Sequence, residues 1–182
     1  MSRIMAICML IAIALLAATY AQAQRYRRHE PREVGRAPPV SVDKADRIVT
    51  SAGPFNGRPY WLAMAQCGGL YFKLNSLYTD AAVRARVIKP NPHANAEFTK
   101  KLNEAINIAT SYFDAAENFL RTDRGLERDD AILTYDGQSR AAGERVKTID
   151  AALAAAKICP ALYRLCHAAY PKACSEPLAP LS

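Results

Sequence analysis

The chain has no run of alternating apolar and polar residues long enough to build a sheet, which argues against a β fold. It also lacks the short signatures of common chemistries: no G-x-S-x-G elbow, no H-E-x-x-H pair, no phosphate-binding loop. Histidine is scarce, at three in 182 residues. His29 falls in a basic, proline-rich stretch and His93 in a connection, both ordinary places for a solvated histidine. No repeat on the scale of a solenoid unit is visible. The acidic residues Asp123, Glu127, Asp129, Asp130 and Asp136 do not follow the order of a calcium loop. They interleave with Arg121, Arg124 and Arg128, which reads as a self-compensating corner plus helix-dipole charges. With no catalytic residue and no metal ligand to nominate, the expectation is a protein that is not an enzyme. Carboxylates that converge only in three dimensions would be the exception.

Long apolar runs are also missing, save one at the N-terminus. Arg3 precedes a nearly uninterrupted apolar stretch over 4–18, and Ala21-Gln22-Ala23 then supplies small residues flanking a cleavage point. Residues 1–23 therefore read as a signal peptide, with Gln24 the first residue after cleavage. The stretch is shorter than the ~20 residues a membrane span needs. The expectation is an exported protein, periplasmic or secreted, with no transmembrane segment after cleavage. Cys8 leaves with the signal, so five cysteines become four, an even number that in an oxidising compartment predicts two disulfides.

Charge is uneven. The chain carries a formal +7, of which residues 24–58 contribute +4. This segment opens with "QRYRRHEPREVGRAPPV" and has little to bury, so it reads as a largely disordered basic tail. Residues 41–51 are its one candidate for a short helix, with Ala45, Ile48 and Val49 facing the domain. Arg25, Arg27, Arg28, Arg32 and Arg36 are candidate contacts to an anionic envelope surface, each adding about 1 kcal/mol in low salt. Nucleic acid is not an expected partner of an exported chain.

Residues 59–182 read as a single all-α domain, an antiparallel bundle of three long helices and a short fourth. The first helix covers 60–82 on the seam Ala63, Cys67, Leu70, Leu74, Leu77 and Ala81. The second runs to Arg124, where Arg121 and Arg124 suit the dipole and Gly125 stops it. The third spans 129–158 on Ile132, Tyr135, Ser139, Ala142, Val146, Ile149, Leu153 and Ala156, with Gly137 a candidate interruption. The fourth starts at Pro160, ends at Pro171 and buries Ile158, Leu162, Leu165 and Ala169. Gly68-Gly69, in the middle of the first helix, implies a kink or a close backbone approach. An apolar ligand or cofactor would fit beside it, among Trp61, Met64, Gly68, Gly69, Tyr71 and Phe72.

The stretch "ICPALYRLCHAAYPKAC" holds three of the remaining cysteines. Its segment "LYRLCHAAYPK" resembles the haem-attachment segment of cytochrome c′-type bundles, which carry C-x-x-C-H on the last helix. That resemblance implies Cys166 as a thioether anchor and His167 as axial ligand. It departs at Tyr163, where the first anchoring cysteine would stand, so no cofactor is assigned. The wide spacing of Cys159, Cys166 and Cys174 lacks the short knuckles of a zinc site. Cys159 and Cys166, seven residues apart on one helix, would have Cα atoms ~10.5 Å apart, beyond the ~7 Å a disulfide spans. Cys174 turns back most easily to Cys166, which leaves Cys67 for Cys159. The swapped pairing, Cys67–Cys166 with Cys159–Cys174, is the alternative. Three functions stay open: a non-enzymatic binding or structural role in the envelope, a bundle holding an apolar or haem-type ligand near the first helix, and an enzyme with an unrecognised site.

Overall fold

The computed structural model describes residues 40–50, 53–88 and 92–175. The expected signal peptide and the arginines Arg25, Arg27, Arg28, Arg32 and Arg36 lie outside them. The described chain is all-α: α1 (Tyr60–Ile88), α2 (Pro92–Arg124), α3 (Arg128–Glu144), α4 (Ile149–Ala156) and α5 (Cys159–Ala169). No described helix is long and apolar enough to cross a membrane.

α1 is the central element, touching each of the other four helices. Its seam is sealed as far as Leu77: Ala63, Cys67 and Leu74 are fully buried, Leu70 and Leu77 nearly so, and Ala81 is half-buried. Ring contacts give the direction of its neighbour. Tyr60 stacks on Phe119 at 5.2 Å and Tyr71 on Tyr112 at 5.6 Å, while Asn75 Nδ2 donates to the Leu102 carbonyl. Partner numbers fall as α1 numbers rise, so α1 and α2 are antiparallel. The α2–α3 pair runs the same way, through Phe113 on Tyr135 and Glu117 with Arg128. Gly125 ends α2 with φ of 66°, a left-handed backbone that costs a glycine little.

The third helix differs from the expected 129–158. It passes through Gly137 without a break and stops instead at Glu144. The Val146 N–H turns back to the Gly143 carbonyl, and Val146 drops into the core. Thr148 is extended, and its side chain accepts the Ala151 N–H, so it caps a new helix, α4. This break resets the phase. Ala152 is buried where the unbroken pattern called for Leu153, which is exposed. Leu165 is likewise exposed in α5. Leu162, Tyr163 and Cys166 form the buried face, turned inward by the disulfide at Cys166.

Residues 40–50 and 53–59 form a strap rather than a tail, and the described part of the expected short helix, residues 41–50, is not helical. The Asp43 side chain accepts the Ala45 N–H and the Asp46 side chain accepts the Asp43 N–H. Such local side-chain bonds favour a turn over a helix. The chain then extends. The Val49 N–H donates to the Arg58 carbonyl and the Tyr60 N–H to the Arg47 carbonyl, around an isolated bridge between Ile48 and Pro59. Val49 is buried, Ile48 half-buried and Ala45 exposed.

The disulfides are Cys67–Cys159, which ties α1 to the start of α5, and Cys166–Cys174, which folds the C-terminal segment back on α5. The second uses the sulfur that a haem thioether would need. His167 Nδ1 donates to the Cys174 carbonyl at 3.0 Å, within the same turn. The cytochrome c′-like segment is thus a closed structural corner.

Candidate functional site

Gly69 sits where α1 and α3 cross. A Cβ there would fall on the Ser139 carbonyl and come within 2.8 Å of Ser139 Cα, so only glycine admits α3 this closely. Gly143, one turn further along α3, packs on the Gly69 carbonyl and the stem of Lys73. A Cβ at Gly68 would meet the Phe113 ring instead. The glycine pair is therefore a packing device, and the space expected beside it divides. Trp61, Met64 and Tyr71 are buried in the core. Phe72 faces outward onto a half-open groove between α1, α2 and α3, of about 620 Å³, and buried Gly69 forms part of its wall.

The floor of this groove is made of rings. Phe72 approaches Phe113 at 6.4 Å between centroids, and Phe113 stacks on Tyr135 at 5.5 Å. Ile132 completes it, and Ser76, Lys73, Asp136, Arg140, Glu144 and Lys147 form the rim. Arg140 is paired with Asp136 one turn away. Lys73, Glu144 and Lys147 enter no ion pair among the described residues. Burial raises the Tyr135 hydroxyl above the usual tyrosine range, helped by the nearby carboxylates of Glu117, Asp114 and Asp136 against Arg128. The phenol is neutral at physiological pH.

Sequence reasoning placed Gly69 and Phe72 here and missed Phe113, Ile132, Tyr135 and the charged rim. A signal was present. Ser139 and Gly143 are small residues one turn apart on α3, the spacing at which a helix face flattens for a close neighbour.

A smaller, polar cleft of about 290 Å³ lies among Asp114, Glu117, Asn118, Arg128, Lys172, Ala173 and Ser175. Burial, then the Glu117 charge, raises the Asp114 carboxyl above its ordinary value. Glu117 itself is held by Arg121 and Arg128. No group of three or more His, Cys, Asp or Glu residues among the described ones is arranged to hold a metal ion.

The acidic corner does not compensate itself as expected: Arg121 and Arg128 pair with Glu117 and Arg124 with Asp46, and of the corner's own acids only Asp123 and Asp136 are in ion pairs among the described residues. Asp123 takes the Arg47 backbone N–H and guanidinium, at 3.1 and 2.7 Å. Arg124 grips Asp46 with a two-pronged contact at 2.7 and 2.6 Å. Both pairs bind the strap to the end of α2.

No family model, curated protein or solved structure matches this chain. What the groove does must be argued from its own chemistry.

Proposed function

We propose that this chain is an exported, disulfide-stapled helical bundle that acts by binding, not catalysis, and that it binds in the groove between α1, α2 and α3. The observation that carries this reading is the groove itself. Its volume of about 620 Å³ falls in the ~300–1,000 Å³ range of small-molecule sites, and it combines an apolar floor with a few polar groups, as such sites do. Neither histidine nor cysteine lines it, and its Asp136 is engaged by Arg140. Among the described residues Glu144, its unpaired carboxylate, makes no hydrogen bond to the Ser76, Tyr135 or Ser139 hydroxyl, so no activated nucleophile is assembled there, which favours binding over proton or acyl transfer. Export is supported by the apolar leader and by two disulfides that engage all four described cysteines.

The test of binding is an amide chemical-shift screen of nitrogen-labelled protein against small aromatic and aliphatic compounds. Hits should move the resonances of Gly69, Ser139 and Gly143. Hits that map only elsewhere would refute the reading. For export, N-terminal sequencing of protein recovered outside the cytoplasm should begin at Gln24. The basic segment before the strap is proposed to hold the protein to anionic envelope material. Removing residues 24–39 should then weaken retention on phosphatidylglycerol vesicles in low salt, and unchanged retention would dispose of that role.

A further inference from the structure

The charges on the rim narrow the class of ligand, an inference that rests on reading the groove as a binding site. Five charged side chains line it: Lys73, Asp136, Arg140, Glu144 and Lys147. Asp136 and Arg140 neutralise each other. Two ammonium groups and one carboxylate remain, none in an ion pair among the described residues. Phe72 leaves 54% of its surface open beside them, although it sits on the helix that buries Trp61, Tyr71 and Tyr78.

We infer that the groove takes a small amphiphile with a flat apolar body and a single anionic group, such as an aromatic carboxylate. The body lies on Phe72, Phe113 and Tyr135, where the tilted and stacked rings offer both faces and edges to another ring. The anion is held by Lys73 and Lys147. Lys73 is the better placed of the two. Its stem is packed against Gly143 at the helix crossing, and it is only partly exposed. Lys73, against Gly143, and Lys147 both lie at the C-terminal end of α3, where two ammonium groups outweigh the one Glu144 carboxylate, which sets the orientation: head toward that end, body over the rings toward α2. A cationic ligand would meet two uncompensated ammonium groups, and a neutral one would leave both without a partner.

A pair of probes with one body and opposite heads tests this directly: 2-naphthoate and (2-naphthylmethyl)trimethylammonium, titrated in low salt and followed by amide shifts. The anion should bind about tenfold more tightly than the cation, a difference that shrinks as salt rises. Combining Lys73→Gln with Lys147→Gln should abolish the preference at an unchanged melting temperature. Phe72→Ala should weaken both probes alike. Equal or tighter binding of the cation at Gly69, Ser139 and Gly143 would overturn the anionic class and leave the groove standing as a binding site. Absence of groove shifts from either probe would overturn both readings. That is also the outcome if another segment of the chain, a second copy or a membrane surface occupies this face.

Discussion

At the strap, Arg47 lies over the Phe119 and Tyr170 rings at 4.7 and 4.9 Å while holding Asp123, and Arg124 lies over Trp61 at 5.0 Å while holding the buried Asp46. At the groove the same ingredients recur, cations beside rings, but Phe72 is open to solvent and Lys73 and Lys147 hold nothing. Where Arg47 and Arg124 each have both a ring and a carboxylate, the chemistry is spent inside the molecule and fixes a segment in place. Where rings and cations are left without partners, their capacity to interact is directed outward. That contrast is the main reason to place function at the groove and stability at the strap.

The largest effect should come from removing what lies behind the strap. The Cys67–Cys159 bridge spans 92 residues of sequence. A loop of that size nominally contributes ~4–5 kcal/mol by constraining the unfolded chain. Cys67→Ser with Cys159→Ser should therefore lower unfolding free energy by several kcal/mol in urea titrations. A loss below about 1 kcal/mol would mean that strain in the bridged fold or residual structure in the unfolded chain offsets the constraint. The groove is tested next by Gly69→Ala. The added Cβ meets backbone rather than a movable side chain, so α1 and α3 must part, at a cost of about 2–3 kcal/mol. Gly143→Ala, whose Cβ would lie 3.1 Å from the Gly69 carbonyl, should cost less. If Gly69→Ala is neutral, the crossing is looser than described and the groove is not a fixed shape.

Much of this was legible beforehand, for reasons that particular residues show. The four–three spacing through Ala63, Cys67, Leu70 and Leu74 reports a buried helix face because helical periodicity and burial are one constraint. Helix rise excluded a Cys159–Cys166 bridge along α5 and the turn at Pro171 favoured Cys166–Cys174, while the swapped pairing stayed open until the structure showed Cys67–Cys159. The break at Thr148 was hidden because apolar residues continue on both sides of it. A cap needs only one hydroxyl, and that signal is weak against a long stripe. The strap was hidden for a different reason. Its order comes from Arg47–Asp123 and Arg124–Asp46, pairs separated by more than seventy residues, and local composition carries no trace of them. The groove shared that fate: Phe113, Tyr135 and Lys147 come from separate segments and meet only after the helices pack.

A smaller effect should follow from opening the strap. Asp46→Asn keeps the shape of the side chain but leaves the Arg124 guanidinium, 15% exposed, without its counter-charge. The expected loss is about 2 kcal/mol, less than for a fully buried pair because solvent reaches Arg124. The pH dependence has a definite sign. Burial alone would raise the Asp46 carboxyl, but the Arg124 hydrogen bonds and charge, with the Asp43 N–H, outweigh it and hold the group below its ordinary value of 3.8. A depressed carboxylate contributes stability that is fully present above that value and is lost as pH falls through the folded value. Wild-type protein should therefore show a strap contribution that is flat at neutral pH and declines below about pH 4, and Asp46→Asn should lack that decline. An identical acid profile in both proteins would mean that Asp46 does not hold the strap.

The smallest expected effect is the one that bears most directly on function. Phe72→Ala removes a ring from the groove floor, yet more than half of that ring already faces water. Its stability cost should stay within about 0.5 kcal/mol, against the ~3–5 kcal/mol that truncating a buried ring costs. A residue of this size that contributes so little to folding has its apolar surface left for something outside the chain. If Phe72→Ala instead destabilises the protein by more than about 2 kcal/mol, the ring is part of the core and the groove is shallower than its geometry implies. The contrast with the strap would then collapse, because both regions would be spending their rings on the fold.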